Sequence, residues 1–174
     1  MPDARFIAED LGYLTDEVRE LREHSGWPGM KILQYAFDTR ETGDYSPYAY
    51  DANTVVYPGT HDNDSVKGWV DNAPRYCIRR AMEYIGIRSE RRLPRGLVRL
   101  ALQSGSNLAI IPMQDWLGLG SEARINTPAT LGGNNWRWRL ARNEQGSRLA
   151  GKIARMTFIY GRCPDKDEAE KISD

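Results

Sequence analysis

The sequence predicts an α/β fold with parallel strands, amounting to about half of a closed (β/α)8 barrel. Short runs at residues 5–8, 30–37, 54–57 and 108–112 are apolar almost throughout, as strands buried on both faces of a parallel sheet are. Helix-like segments separate them, the alternation expected of right-handed strand–helix–strand crossovers. The 174 residues supply only about four such units, whereas a barrel needs eight and about 250 residues. The chain also opens on a strand with no helix ahead of it. It therefore reads as the second half of a larger domain, with residues 1–161 in the barrel portion and 162–174 as an exposed tail.

In chain order, Arg5-Phe6-Ile7-Ala8 forms the first expected strand, followed by the acids Glu9-Asp10 and the turn at Leu11-Gly12. Thr15 can cap a helix whose first turn carries Asp16 and Glu17, which suit the positive end of its dipole. Leu14, Val18 and Leu21 share one face of that helix, and Gly26 with Pro28 stops it. The second strand is expected over 30–37 and the third over 54–57. Gly59 then turns the chain into Thr60-His61-Asp62-Asn63-Asp64. Asn72 and Pro74 start a helix striped by Ile78, Met82 and Ile85 and ended by Gly86. Leu97, Val98, Ala101 and Leu102 mark another, ending near Gly105. The fourth strand follows over 108–112. A last helix over 147–160 turns Leu149, Ile153 and Met156 inward, and beyond Gly161 the charged stretch Pro164-Asp165-Lys166-Asp167-Glu168 reads as frayed and exposed.

Composition excludes several function classes. With 24 basic and 24 acidic residues the formal net charge is +0, which offers no general attraction to nucleic acid or an anionic membrane. The arginine-rich stretch 88–95 reads as a solvated helix–loop edge. Cys77 and Cys163 show neither a disulfide framework nor zinc spacing, which suits a reducing cytoplasm. The first residues lack the apolar stretch of a secretory signal, and no run is long enough to span a bilayer. Gly118, Gly120, Gly132 and Gly133 match neither a phosphate-binding loop nor a dinucleotide fingerprint, so no cofactor is expected. A metal held by His61, Asp62 and Asp64 is disfavoured. Neighbours on an extended segment point to opposite faces, and the other histidine, His24, is distant and better explained by a helix C-terminus.

The chemistry-bearing residues stand at strand ends. In barrels of this kind the C-terminal ends of the strands collect catalytic side chains, and two carboxyl groups from different strands suit the cleavage of sugar bonds. Glu9 and Asp62 are placed that way. By spacing alone Glu9 is equally a helix-start or surface acid. Read without further information, the pair could act as acid and nucleophile. A proton-donating carboxyl needs burial or a nearby like charge, and the setting of Glu9 after an apolar run makes that environment available. His61 can donate a hydrogen bond to a sugar hydroxyl. Trp27, Trp69, Trp116, Trp136 and Trp138 mostly lie in loop-like sequence, where an indole can cover a pyranose face, although burial is the commoner use of tryptophan.

Six motifs occur in one order: Ile7-Ala8-Glu9-Asp10-Leu11-Gly12, Pro28-Gly29-Met30-Lys31, Gly59-Thr60-His61-Asp62-Asn63-Asp64, Gln114-Asp115 with Leu117-Gly118-Leu119-Gly120, Glu122-Ala123-Arg124, and Asn134-Asn135-Trp136. Together they resemble the 4-α-glucanotransferases, the amylomaltase or disproportionating-enzyme family, from about Phe6 to Arg139 and again in the closing helix. The resemblance implies the C-terminal half of a TIM barrel, approximately strands 5–8 with their helices. It implies retaining transfer of α-1,4-glucan segments to glucose or another glucan, with a maltooligosaccharide as substrate. It makes Glu9 the general acid/base, Asp62 the stabiliser of the transition state, His61 a substrate-binding residue and Asn126 a sugar contact. The nucleophilic aspartate belongs to the fourth strand, ahead of Met1, so the missing N-terminal half of the barrel is the implied partner and the isolated chain is expected to be inactive. Pro58, Ile125 and Ala129 depart from the family's usual Thr, Met and Gly, and so bear on loop shape. The competing expectation is a non-catalytic glucan-binding or structural half-barrel.

Overall fold

The run over 54–57 forms β2 (Thr54–Tyr57), the middle strand of a three-stranded parallel sheet in the computed structural model, which describes residues 5–38, 46–142, 144 and 146–163. On one side lies β1 (Gly29–Ile32), with Gly29 beside Thr54 and Ile32 beside Tyr57. On the other lies β3 (Leu108–Ala109), with Val56 beside Ala109. Successive strand residues face opposite sides, yet Val55 and Val56 are both buried, so both faces of β2 are covered. All three strands run the same way, and their C-terminal ends lie along one edge.

Among the described residues seven segments form α-helix. They are α1 (Asp16–Ser25), α2 (Leu33–Ala36), α3 (Val66–Asn72), α4 (Arg75–Ile85), α5 (Leu93–Gln103), α6 (Met113–Leu117) and α7 (Ser147–Ile159). As the sequence predicts, Gly26 and Gly86 end α1 and α4 in the left-handed conformation, at φ 69° and 75°. The main core joins Leu33 and Phe37 behind β1 to Val56 of β2, Val66 of α3, Ile78 of α4 and Leu97 of α5. A second cluster sets Val98, Leu102 and Trp116 against the inward face of α7, with Leu149, Ile153 and Met156 packed on it. Arg162 then ties the end of α7 back across the sheet edge. Its Nε donates to the Leu102 carbonyl at 2.6 Å, and its Nη2 to the Ser104 and Ser106 carbonyls at 2.9 and 3.0 Å. These include carbonyls that the end of α5 would otherwise leave unpaired. The remaining tail residues, 164–174, lie outside the described residues.

Three expected strands are shorter or absent. Residues 5–8 do not join the sheet. The Ala8 N–H donates to the Pro28 carbonyl at 2.9 Å and Asp10 Oδ1 accepts from the Met30 N–H at 2.6 Å, so the segment is pinned at the start of β1 without forming a ladder. Its other side meets no strand among the described residues, and Phe6 and Ile7 stay exposed. The run over 30–37 divides, because after Ile32 the chain coils into α2, whose Leu, Gln and Ala favour helix over strand. The run over 108–112 narrows to β3, although the Ile110 N–H still reaches the Val56 carbonyl at 2.9 Å. The expected apolar face of α1 is likewise left uncovered by the described residues, and that helix contains no buried residue.

Burial separates two leucines of equal size. Leu97 is 0 % exposed and Leu21 is 69 % exposed. Leu97→Ala should lower the stability of the chain by about 2–5 kcal/mol, the usual cost of a core cavity, while Leu21→Ala should change it by less than about 0.5 kcal/mol. Urea unfolding followed by circular dichroism compares the two, and equal effects would show that Leu97 does not pack as described.

Candidate active site

The site is built where β2 ends. Pro58 and Gly59 are buried, and Gly59 has no room for a side chain: an added Cβ would lie 2.5 Å from Gln34 Nε2. Gln34 in turn donates to the Asp64 carbonyl at 2.8 Å, so α2 holds the far end of the same loop. Within the loop, Asn63 Oδ1 accepts from both the backbone N–H and the hydroxyl of Thr60, at 2.9 Å each, closing a tight turn. That turn thrusts His61 and Asp62 outward, their side chains about half exposed.

A second loop, after α6, locks this turn in place. Asn126 Nδ2 donates to Asp62 Oδ1 at 2.7 Å, and the Asn126 N–H donates to the His61 carbonyl at 3.0 Å. Arg124 bridges the two loops, with Nη2 to the Asp62 carbonyl at 2.6 Å and Nε to the Asn126 carbonyl at 2.7 Å. His61 Nε2 lies 3.4 Å from Asp62 Oδ1. The Trp136 ring covers the imidazole at a centroid distance of 5.2 Å and a tilt of 37°. Trp136 itself sits at φ 62°, and its N–H donates to the Ile125 carbonyl at 2.7 Å. Ala129 takes φ 60°, where a Cβ costs of the order of 1 kcal/mol.

Glu9, His61 and Asp62 line one cavity of about 510 Å³, together with Met30, Tyr35 and Tyr57. The structure thus brings three of the four sequence-predicted residues to one hollow and bonds the fourth, Asn126, to Asp62. Glu9 is exposed, so the burial expected for it is not supplied by the described residues. Its neighbour Asp10 is turned the other way, accepting from Met30 and lying 3.6 Å from Arg22. Of the five tryptophans, Trp136 meets a candidate side chain. Trp27 stacks on Phe6, Trp69 lies against Phe37 and Trp116 is buried. Chemically, the hollow offers two carboxyl groups, one of them bonded to an amide, and an imidazole that an indole backs.

Behind the exposed groups stands a supporting layer whose roles sequence reasoning missed. Asp64 Oδ1 accepts from the Ser65 N–H at 2.8 Å and Oδ2 from the Ser121 hydroxyl at 2.6 Å. Ser65 caps α3 by accepting from the Gly68 N–H at 3.1 Å, and its hydroxyl donates to the Leu119 carbonyl at 2.8 Å. Asp115 Oδ1, buried within α6, accepts from the Val66 N–H at 2.7 Å. Burial raises the Asp115 carboxyl to a pKa of about 7. The Val66 N–H opposes that rise and the charge of Asp64 adds to it. An acid set among Met113, Trp116 and Leu117 was the available signal.

Comparison with known proteins gives a consistent result. A family model described as 4-alpha-glucanotransferase matches residues 1–144. The 4-alpha-glucanotransferase of Clostridium butyricum is 46% identical over 162 residues, covering 92% of this chain and 33% of the relative. The chloroplastic/amyloplastic 4-alpha-glucanotransferase of Solanum tuberosum is 42% identical over 159 residues, covering 90% of this chain and 27% of the relative. Among solved structures, an amylomaltase from Streptococcus agalactiae in complex with acarbose matches with a TM-score of 0.82 and 32% identity, over 90% of this chain and 32% of that one. The chain spans about a third of the length of the relatives it matches.

The buried Asp115 makes stability depend on pH in a defined direction. Its folded pKa of about 7 lies above the ordinary 3.8, so its contribution is full below that ordinary value and is lost as pH rises towards 7. Asp115→Asn keeps an oxygen to accept from Val66 and removes the ionisation. Between about pH 4 and pH 7 the parent should lose stability relative to this variant by on the order of a few kcal/mol. Urea midpoints of both proteins at pH 4.5 and pH 8 measure the difference, and a constant gap would contradict the raised pKa.

Proposed function

Because the chain belongs to the 4-α-glucanotransferase family, we propose that it forms part of a retaining transferase that moves α-1,4-glucan segments onto glucose or another glucan. The observation that carries this reading is the Asp62 carboxylate, clasped by Asn126 beside His61, facing the same hollow as Glu9. In this reading Glu9 donates its proton to the glycosidic oxygen as the bond to the anomeric carbon breaks. An aspartate from the preceding part of the barrel attacks that carbon to form the glycosyl intermediate. Glu9 then takes the proton of the incoming sugar hydroxyl, which displaces the aspartate and restores the acid. Asp62 stays ionised and opposes the positive charge that develops on the sugar ring. Asn126 holds one of its oxygens in place, and His61, backed by Trp136, donates to a sugar hydroxyl. The likeness to an amylomaltase in complex with acarbose supports a glucan ligand.

The rest of the enzyme is the proposed partner. Residues 5–8 with β1, β2 and β3 would be strands five to eight of a TIM barrel. Its closure would cover Phe6, Ile7, Val18 and Leu21 on one side and Leu108 and Ile110 on the other, all exposed here. Closure would also supply the burial that Glu9 lacks. Among the described residues no helix is long and apolar enough to cross a membrane, and Cys77 and Cys163 are thiols rather than a disulfide. Both facts suit the cytoplasm, as they would a plastid. A second reading, a glucan-binding half-barrel without catalysis, is favoured by the exposure of Glu9 and of half the Asp62 side chain.

Substitutions in the complete enzyme test the roles. Glu9→Gln should preserve glucan binding while transfer falls by roughly 10²-fold or more. Asp62→Asn should depress kcat more than it raises the Kd for maltooligosaccharides, because its charge acts chiefly in the transition state. His61→Ala, which deletes one donor, should be milder. Turnover of maltotriose by Glu9→Gln at the parent rate would remove Glu9 from its role, and a dominant His61 would call for another mechanism.

The isolated 174-residue chain tests the completeness of the site. It should neither transfer nor hydrolyse α-1,4 glucans, and its open strand edge and uncovered apolar side chains should drive association. Product analysis after incubation with maltotriose, beside light scattering, reads both. A monodisperse monomer that disproportionates maltotriose would overturn the half-barrel reading.

A further inference from the structure

On the outer face of α4 and α5, away from Glu9 and Asp62, the sequence predicts only a solvated basic edge. The structure gathers that charge around a hollow. Arg92, Arg95 and Arg99 line a cavity of about 540 Å³ whose floor is Ile85, Ile87 and Gly96. Arg95 and Arg99, four residues apart, lie on one side of α5, and Arg92 stands at its N-cap three residues before Arg95. Gly96 lets the floor lie close, since an added Cβ would meet Ile87 Cδ1 at 2.4 Å. Residues 75–99 hold eight arginines against two acids, Glu83 and Glu90. Of the two, Glu90 is engaged by Arg75, with Nη1 donating to Oε2 at 3.0 Å.

The guanidinium groups of Arg92, Arg95 and Arg99 have no hydrogen-bond or ion-pair partner among the described residues. The charge of Arg95 is felt nearby: the Lys152 pKa is held down, first by burial and then by that charge. Nor does the helix gain from these cations, because Arg95 lies in the first turn of α5, where the dipole is already positive.

A second cavity, of about 640 Å³, adjoins the first and shares Ile85, Gly96 and Arg99 with it. Its lining is different in kind: Tyr48, Tyr84, Tyr160 and Gln103 provide aromatic faces, hydroxyls and an amide. A ligand that satisfies both halves has a compact dianion at one end and a polyhydroxylated body with apolar ring faces at the other. Guanidinium forks match phosphate oxygens two at a time, a phosphomonoester carries close to two negative charges at neutral pH, and tyrosine rings pack on pyranose C–H faces as they do on other apolar surfaces. We propose that this outer face is a binding site for a sugar phosphate, with the phosphate among Arg92, Arg95 and Arg99 and the sugar against the tyrosine-lined cavity. It shares no residue with the hollow of Glu9 and Asp62, so it stands independently of the transfer reaction.

Isothermal titration of the chain with glucose 6-phosphate, inorganic phosphate and glucose tests the site. The arginine-lined cavity is built from α4, α5 and the turns between them, and none of its lining residues belongs to a strand. Glucose 6-phosphate should bind saturably and more tightly than either inorganic phosphate or glucose, with affinity falling as salt is raised. Arg95→Ala should weaken it roughly tenfold or more, Arg99→Lys should fall between that and the parent because it keeps the charge but not the fork, and Tyr48→Ala should weaken glucose 6-phosphate but not inorganic phosphate. All three residues are exposed, and far-ultraviolet circular dichroism confirms folding of each variant. Absence of saturable binding, equal affinity for inorganic phosphate, or an Arg95→Ala variant with unchanged affinity would each overturn the proposal.

Discussion

The pairing of β2 on both of its edges is the constraint from which the rest follows. A strand bonded to parallel neighbours on either side cannot slide without breaking both ladders, and Val55 and Val56 anchor it in apolar surroundings on opposite faces. With its register held, the chain must leave the sheet at Tyr57. The short passage through Pro58 and Gly59 then determines where Thr60 to Asp64 can turn. The candidate site is therefore placed by a buried strand, while the His61 and Asp62 side chains stay about half exposed.

Two kinds of bond convert that placement into orientation. Within the turn, Asn63 binds Thr60 twice and sets which way His61 and Asp62 point. Between loops, Arg124 and Asn126 grip the carbonyls of His61 and Asp62 and one carboxylate oxygen. A deeper row, Asp64 to Ser121, Ser65 to Leu119 and Val66 to Asp115, repeats the pattern one turn further on. The two loops are thus laced together at several points, from Asn126 and Arg124 at His61 and Asp62 to Ser121 at Asp64 and Leu119 at Ser65.

How much of this was legible depends on how local the cause is. The strand over 54–57 and the helices α4, α5 and α7 were readable because their patterns and end signals lie within a few residues. The division of 30–37 was not, since a continuous apolar run carries no period and Leu33 to Ala36 coil by propensity and by what Gln34 reaches. Residues 5–8 have a strand's composition, but among the described residues they bond to one flank alone, at Pro28. Glu9, His61, Asp62 and Asn126 were named through family resemblance together with strand-end position. The bond from Asn126 to Asp62 spans 64 residues and that from Val66 to Asp115 spans 49, separations that no spacing rule reads from one chain. Ala129, noticed as an alanine in a glycine's place, turns out to sit where a glycine would relax.

Trp136 presents a conflict between backbone and side chain. Its φ of 62° belongs to the region where glycine is at ease and a bulky residue is not. Relaxing the main chain would favour glycine, yet glycine would remove the plate that lies on His61. A relaxed loop and a covered imidazole therefore make opposite demands on this position. In this chain the indole stands there, so the loop carries a strained backbone together with a covered imidazole.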